Sequence, residues 1–575
     1  MNDIPTSIWK KSWTGPRSLL IWFILFFFIF LIGLTAVSTN LPPLWLLALG
    51  FALTGVALIA FIHWVRCWRN FKRFLFGLAC LATLIALFYA EEDWRGWHTW
   101  SQFKRTWEAK GEHFDFASLV PAPVPEDQNF ALTPIAFTGY GSILTRDGKR
   151  IPREQRDTNF VERIKMGIGP QDKWPTNSPG NWQKSTVCDL GAWQNYYRAL
   201  AAKTNEFPIP SQARSPAADV LLALSKYDPV IAELREASRF PCSRFPLNYD
   251  SESPAAILLP HLAALRNCSQ TLQLISLAEL QNSQPDKALA DVSLALQLTD
   301  KIRTEPFLIS HLVRIAIVQI MLQPVWEGLA EHRWSDEQLV TLDAELAKLD
   351  FTAAYQLSMR GEMGCQGGEM DRLRRHPEFI SGLGGMGEGS AMGLPLPGKI
   401  VGRLIPTGWF YQNQFRCARI MMAYFIPAAN VDQDTFSPDL ARRGDAAVGA
   451  DIQATSPYNL LEKLMLPALG TCVRRFAFAQ SSVNLARTAI ALERYRLAHG
   501  GYPESLDALA PQFIAKMPHD VVNGQPLHYR LEANGHFAIY SVGWNETDDG
   551  GEVGLTKNGS VDTSIGDWVW QYPAR

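Results

Sequence analysis

The sequence predicts a mainly α-helical protein with three N-terminal transmembrane helices, an all-α soluble domain whose N-terminal part is irregular, and a C-terminal α+β module. Three observations lead to this fold class. The first 90 residues are overwhelmingly apolar, whereas the rest has an ordinary globular composition. From about residue 215, apolar residues recur at the spacing of amphipathic helices. The C-terminal stretch joins one long helical pattern to two short segments typical of strands.

Three apolar segments, at about 19–37, 44–65 and 74–90, predict a transmembrane anchor over residues 1–90. Each approaches the roughly 20 residues that cross a bilayer as a helix. The first segment follows basic residues as a signal peptide does, but it lacks a small-x-small cleavage site, so we predict a retained anchor. His63 is the one side chain in these segments that titrates near neutral pH, which favours an anchor over a transporter.

The charges that flank the segments predict their orientation. Three basic residues precede the first segment: Lys10, Lys11 and Arg17. Four more separate the second segment from the third: Arg66, Arg69, Lys72 and Arg73. Acidic residues follow the third segment: Glu91, Glu92 and Asp93. The positive-inside rule then places the N-terminus in the cytoplasm and everything beyond about residue 90 outside it.

Residues 91–125 are predicted to connect the anchor to the soluble part. Trp97, Trp100, Phe103 and Trp107 recur near helical spacing, which predicts an amphipathic juxtamembrane helix lying on the bilayer surface. A stalk helix packed on the soluble domain is the alternative. The segment 120–125 is a Pro-rich, extended spacer.

Residues 126–455 are predicted to form the mainly helical soluble domain, with an irregular part up to about residue 213 and a linker or surface loop at 430–445. Helices are predicted at 217–238, 255–281, 286–300, 306–329 and 335–349. The apolar stretch 306–329 contains His311, Arg314 and Gln319, so we expect a buried globular helix there. The segment 278–298 has the pattern of a single tetratricopeptide-type helix hairpin, without a second copy.

No catalytic motif is present, and we assign no catalytic residue. The segment Gly393–Ile400 has the GxxxxGK spacing of a phosphate-binding loop, but Ile400 replaces the magnesium-binding Ser or Thr, so no nucleotide is expected. A net charge of -2 gives no basic field for nucleic acid. An unrecognised enzyme site around Glu362, Cys365 and Glu369 stays open; a cleft with converging carboxylates would favour it.

The C-terminal module is predicted at 456–575. A long helix ends at His499, where Gly500 and Gly501 supply the C-cap and Pro503 prevents continuation. Two strands, at 527–531 and 537–542, form a small antiparallel sheet, and an acidic Gly-rich loop follows at 543–551.

Several short motifs of this module carry a resemblance: Leu492-Glu-Arg-Tyr-Arg496, Gly500-Gly-Tyr-Pro503, Tyr540-Ser-Val-Gly543, Asp548-Asp-Gly-Gly551 and Ile565-Gly-Asp-Trp568. Over about the last 100 residues the chain resembles the globular head of the major pseudopilin of bacterial type II secretion. The whole chain is similar to large uncharacterised bacterial envelope proteins. The processed N-terminal motif of pseudopilins is absent, which favours a pseudopilin-like head on a fixed anchor.

The resemblance implies a calcium site in the C-terminal loop. Asp548, Asp549 and Asp562 occupy the matching acidic positions, and Asn545 and Asp567 are further oxygen donors. Calcium requires six to eight oxygen ligands, several of them carboxylates. An Asx-rich turn that binds no ion is the alternative.

Together these features predict a multi-pass protein of the bacterial plasma (inner) membrane whose bulk is extracytoplasmic. We expect a non-catalytic binding or scaffold protein whose partners are the lipid bilayer and a protein or cell-wall component. Two alternatives remain: an extracytoplasmic enzyme with a site in the helical domain, and a component associated with a type II secretion or pilus-like system.

Overall fold

The structure, a computed structural model, describes residues 16–37, 44–66, 68–136, 143–144, 150–151, 166–170, 174–175, 179–204, 206–377, 402–453, 456–466, 469–532 and 535–572. The chain divides into two compact units, Met1–Arg95 and Gly96–Arg575. The GxxxxGK segment lies outside the described residues.

The described part is mainly helical, as predicted. The helices are α1 Pro16–Val37, α2 Leu44–Val65, α3 Trp68–Glu108, α4 Leu190–Ala201, α5 Pro216–Leu224, α6 Asp228–Ser238, α7 Pro260–Gln281, α8 Pro285–Asp300, α9 Leu308–Ala330, α10 Asp336–Leu346, α11 Phe351–Arg375, α12 Thr407–Ile420, α13 Pro438–Gln453, α14 Glu462–Met465 and α15 Leu469–His499.

The strands are short and pair antiparallel. They are β1 Ile143–Leu144, β2 Arg150–Ile151, β3 Ala429–Asn430, β4 Thr435–Phe436, β5 His528–Leu531, β6 Phe537–Ser541, β7 Val553–Leu555, β8 Val561–Gly566 and β9 Trp568–Gln571. The C-terminal sheet has the order β5-β6-β9, and β7 pairs with β8 beside it.

Two described helices, rather than the three predicted, are long and apolar enough to cross a membrane. One is α3, which contains the predicted third span. Within the structure, 0% of its most apolar 18-residue stretch is buried. Within α1 and α2 the apolar stretches that the structure describes are shorter, Leu19–Phe30 and Ala48–Ile62. The other candidate, α9, is long and apolar enough to cross a membrane. However, 61% of its most apolar 18-residue stretch is buried inside the protein, as expected of a core helix.

The juxtamembrane segment continues α3 without a break, so a separate helix lying on the bilayer surface is not what the structure contains. Its later part packs on the core of the second unit: Trp100 meets Phe114 edge-to-face with ring centroids 5.4 Å apart, and Phe103 meets Phe415 at 5.3 Å. The stalk-helix alternative is therefore the better description of this segment.

Prolines explain where the observed helices depart from the predicted ones. The stretch predicted as one helix over 217–238 is two helices, α5 and α6, because Pro229 has no amide hydrogen to continue the first and instead occupies the first turn of the second. Helix α7 begins at Pro260 rather than at 255 for the same reason. The segment 430–445, predicted as a linker or surface loop, instead holds part of the hairpin β3–β4 and the start of α13.

The long helix α15 joins the sheet to the helical layers. It ends at His499, as predicted, and its residues pack on α9, α10, α11 and β9. The residues on both sides of position 456 share one hydrophobic core, in which the Trp182 ring contacts the rings of both Phe478 and Trp570. The structure therefore joins the two soluble domains of the sequence prediction into one compact unit.

The cysteines that the structure describes are free thiols. Cys268, Cys365 and Cys417 are buried among apolar side chains. Buried thiols of this kind behave as small apolar groups.

Candidate functional site

The acidic C-terminal loop, Asn545–Gly551, is held together by Asp567. This side chain is buried, and its Oδ1 accepts a hydrogen bond from the Asp549 amide at 3.2 Å, while its Oδ2 accepts one from the Gly551 amide at 2.6 Å. Burial raises the pKa of Asp567, against the opposing effect of these two amides. Both carboxyl oxygens of Asp567 therefore stabilise the backbone of the loop.

The other predicted calcium ligands also bind their own backbone or neighbours. Asp548 Oδ1 accepts from the Gly550 amide at 2.9 Å, and Asn545 Nδ2 donates to Asp549 Oδ2 at 2.8 Å. Asp562 Oδ1 accepts from the Ser564 amide at 2.9 Å. Among the described residues, no group of three or more His, Cys, Asp or Glu is arranged to hold a metal ion. The calcium site stays a prediction.

Glu493, from the Leu-Glu-Arg-Tyr-Arg motif, has a structural role similar to that of Asp567. It is buried and accepts hydrogen bonds from Arg496, from His332 at 2.9 Å and from the Tyr502 hydroxyl at 3.0 Å. Burial alone raises the pKa of a carboxyl, but the bonds from Arg496 and His332 prevail and lower the pKa of Glu493 to about 2. This carboxylate ties the end of α15 to the loop that follows it.

The residues considered for an enzyme site, Glu362, Cys365 and Glu369, all lie on α11. Cys365 lies in a small apolar cluster with Phe116 and Phe307, and burial raises the pKa of its thiol. Glu369 is paired with Arg372 and accepts a hydrogen bond from Ser253. Cys365 therefore lacks the exposed, electropositive surroundings of a reactive thiol.

His261 and Arg314 are buried in the core, and each has a polar partner there. His261 Nε2 lies 2.8 Å from Glu305 Oε1, and the Arg314 Nε donates to the Thr299 carbonyl at 3.0 Å. His311 bridges the two groups, since its Nε2 donates to the Glu305 carbonyl at 2.9 Å and its Nδ1 accepts from Arg314. Burial beside a guanidinium lowers the pKa of His311 to about 3, so the imidazole is neutral. This network stabilises the core of the second unit.

Several carboxyl groups of the described residues converge in a cleft formed by α5, α6, α7 and α8, which we call the acidic cleft. Its volume is about 460 Å³, within the range of small-molecule sites. Its lining combines apolar side chains with ionisable groups: Leu221, Leu224, Ile231, Ile275; Asp228, Arg235, Glu279, Asp286, Lys287, Asp291. Four carboxyl groups face two cationic side chains.

Glu279 and Asp291 form the centre of the acidic cleft. Both are buried, and Asp291 is paired with Arg235 through a short hydrogen bond. No hydrogen-bond donor among the described residues reaches Glu279 Oε2, although this oxygen is buried. Leaving a buried polar group unmatched costs roughly 1–3 kcal/mol, so such a group is more typical of a binding site than of a core.

The two carboxyl groups influence each other's ionisation. Burial, followed by the charge of Asp291, raises the pKa of Glu279, so Glu279 holds a proton at neutral pH. Burial also raises the pKa of Asp291, although Arg235 opposes this. The pair can therefore release a proton when a positive charge enters the cleft. The groups of the acidic cleft that can donate or accept a proton are its carboxyl groups and Lys287.

Sequence reasoning did not identify this cleft. Glu279, Asp286 and Asp291 lie in the segment predicted as a helix hairpin, but Asp228 and Arg235 come from α6, some fifty residues earlier. The available signal was a glutamate among apolar residues on α7, in Leu277-Ala-Glu-Leu280. Comparison with known proteins adds nothing to it: no family model, no curated protein and no solved structure matches this chain.

Proposed function

We propose that the chain is a membrane-anchored, extracytoplasmic binding protein of the bacterial envelope, and that it binds a basic segment of a partner protein in the acidic cleft. In this proposal the apolar N-terminal helices anchor the chain in the membrane and the N-terminus is cytoplasmic. The apolar composition of these helices and the basic residues that flank them support it.

The observation that carries the ligand assignment is Glu279 Oε2, a buried carboxyl oxygen without a donor, at the centre of a cleft with four carboxyl groups. A Lys or Arg side chain would bring the missing donor and a positive charge together. The apolar part of the lining, with Leu221 and Ile231, suits the methylene stem of such a side chain. Lys287 and Arg235 disfavour a second cation, which limits the site to one basic group.

Binding of tri-lysine to the full-length protein in detergent tests this assignment. We expect acetylation of the peptide's side-chain amines to weaken binding at least about tenfold, since each factor of ten corresponds to about 1.4 kcal/mol. Glu279→Gln should weaken binding by about the same factor. Glu236→Gln, on the exposed side of the same helix as Arg235, is the matched control and should bind as wild type does. Equal binding of acetylated and unmodified peptide, or no binding of either, would overturn the ligand assignment.

An acid–base enzyme in the same cleft is the second candidate, because a protonated carboxyl beside an ionised one can donate a proton to a substrate. Mass spectrometry of a bound peptide or partner after incubation separates the two functions. A ligand recovered unchanged supports binding. A product mass that Glu279→Gln abolishes supports the enzyme instead.

The orientation and the pilus alternative have their own tests. A reporter fused after Arg575 should be active outside the cytoplasm; activity only inside would refute the orientation. The pseudopilin-like head remains part of the proposal, supported by α15 and the antiparallel sheet that follows it. Intact chains that retain Met1 in membranes would exclude processing and assembly into a pilus.

A further inference from the structure

A second cavity lies on the opposite face of α7 from the acidic cleft. Gln270 lines this cavity and Glu279 lines the cleft; nine residues, or two and a half helical turns, separate them. The cavity has a volume of about 280 Å³ and is open on one side. We call it the amide pocket, after the side chains that line it: Asn181, Gln183, Gln270, Gln273, Gln319, Gln323, with Trp174, Trp182, Ile168, Ile320, Pro179 and Gly180.

The polar side chains that line the amide pocket are, among the described residues, uncharged. They are primary amides from α7, from α9 and from the turn at Trp182–Lys184. Each amide offers an acceptor oxygen and two donor hydrogens, so the lining can both give and receive hydrogen bonds. A charged ligand would find no counter-charge among these residues and would lose its hydration without compensation.

Part of this hydrogen-bonding capacity is held in place and part is unused. Gln183 Nε2 donates to Gln319 Oε1 at 3.2 Å, and Gln273 Nε2 donates to the Ile320 carbonyl at 3.1 Å. These bonds fix the orientation of the two donor amides. Gln319 Nε2 is buried without an acceptor among the described residues, which leaves a donor within the lining unmatched.

Trp174 supplies an aromatic wall. Its indole nitrogen donates to the Gly169 carbonyl at 3.0 Å, and its ring meets Trp193 edge-to-face with centroids 5.9 Å apart, so the ring is fixed. It is only half-buried, whereas Trp182 is covered by Trp570 and Phe478. A fixed, partly exposed ring offers an apolar surface beside the polar groups.

We propose that the amide pocket binds one ring of a neutral sugar. Sugar hydroxyls both donate and accept hydrogen bonds, as the amides do, and the C–H face of a pyranose packs against an aromatic ring. The volume, at the small end of ligand sites, limits the ligand to about one ring. The ligand class is therefore a neutral hexose or N-acetylhexosamine, free or at the end of a glycan.

Titration of the full-length protein with glucose, galactose, mannose and N-acetylglucosamine, followed by tryptophan fluorescence and calorimetry, tests the proposal. The detergent must have no sugar headgroup, because such a headgroup would compete. We expect at least one of these sugars to bind with a Kd of about 10 mM or below. Glucuronate should bind at least about tenfold more weakly than glucose, if glucose binds, because its carboxylate finds no counter-charge.

Gln270→Ala and Gln319→Leu should each weaken binding of that sugar at least about fivefold, or about 1 kcal/mol, the usual net contribution of a hydrogen bond. Gln281→Ala is the matched control: it lies on α7, outside the pocket, and pairs with Glu331. Absence of binding by all four sugars, or equal affinity in wild type and in both pocket variants, would overturn the proposal. Glu279→Gln should leave sugar affinity unchanged, so the proposal for the amide pocket is tested independently of the proposal for the acidic cleft.

Discussion

The acidic cleft and the acidic C-terminal loop contain similar numbers of carboxyl groups but use them in different ways. In the loop, Asp567 and Asp548 accept hydrogen bonds from backbone amides of the loop itself. In the cleft, Glu279 Oε2 is buried and has no donor among the described residues. Acidic composition is therefore common to both regions. The buried, unmatched oxygen of Glu279 is what distinguishes the proposed site from the loop.

The two regions also differ in how far the sequence reveals them. The loop's residues lie within a short C-terminal stretch, so the sequence places them together. The cleft takes Asp228 from α6, Glu279 from α7 and Asp291 from α8, and only tertiary packing brings them together. The loop can therefore be recognised as a motif in the sequence, whereas the cleft can be recognised only in the folded structure.

The largest expected effect on stability belongs to the loop. Asp567→Ala removes the acceptor for the amides of Asp549 and Gly551, so the free energy of unfolding should fall by about 3 kcal/mol. Chemical denaturation of the full-length protein, monitored by tryptophan fluorescence, measures it.

Asp548→Ala is the control for the loop, because Asp548 is exposed and its contacts with the Gly550 amide and with His528 compete with water. It should change the free energy of unfolding by no more than about 0.5 kcal/mol. Equal effects of the two substitutions would contradict the distinction between a buried structural carboxylate and a surface one.

A smaller effect with a characteristic pH dependence is expected from the cleft. Because the pKa of Glu279 is raised on folding, the unfolded state releases this proton first, and stability falls as pH rises above about 4.3, the value for a free glutamic acid. Between pH 5 and 8, Glu279→Gln should remove the contribution of Glu279 to the fall in the free energy of unfolding, which is on the order of 1–2 kcal/mol. Asp228, Arg235, Lys287 and Asp291 are the ionisable groups that surround Glu279.

Thermal unfolding of wild type and Glu279→Gln over this pH range gives the difference directly. Parallel curves for the two proteins would mean that Glu279 titrates normally. The comparison between cleft and loop would then lose its electrostatic basis.

The smallest effect concerns calcium. If the C-terminal loop binds it as the resemblance implies, adding chelator should lower the melting temperature of wild type, and Asp549→Ala should remove that response. The loop oxygens already accept bonds from their own neighbours, so we expect a small shift. A melting temperature that does not respond to calcium or chelator would count against the site.

The sequence anticipated what depends on local pattern. The helical character of 215–349, the end of α15 at His499 and the buried state of α9 follow from periodicity, Gly caps and polar residues on an apolar helix. The sequence did not anticipate α13, because the polar residues from 438 onward resemble a loop until packing gives them one buried face. It also divided the soluble part at residue 456, where packing of α15 against α9 and α11 forms one core.

The most direct test of the central claim is the number of protons released when tri-lysine binds. Calorimetric titration at pH 7, in two buffers that differ in ionisation enthalpy, measures this number for wild type and for Glu279→Gln. A cation that enters the acidic cleft should ionise Glu279, so wild type should release up to about one proton and Glu279→Gln almost none. Binding without proton release in wild type, or with equal release in both proteins, would contradict the account.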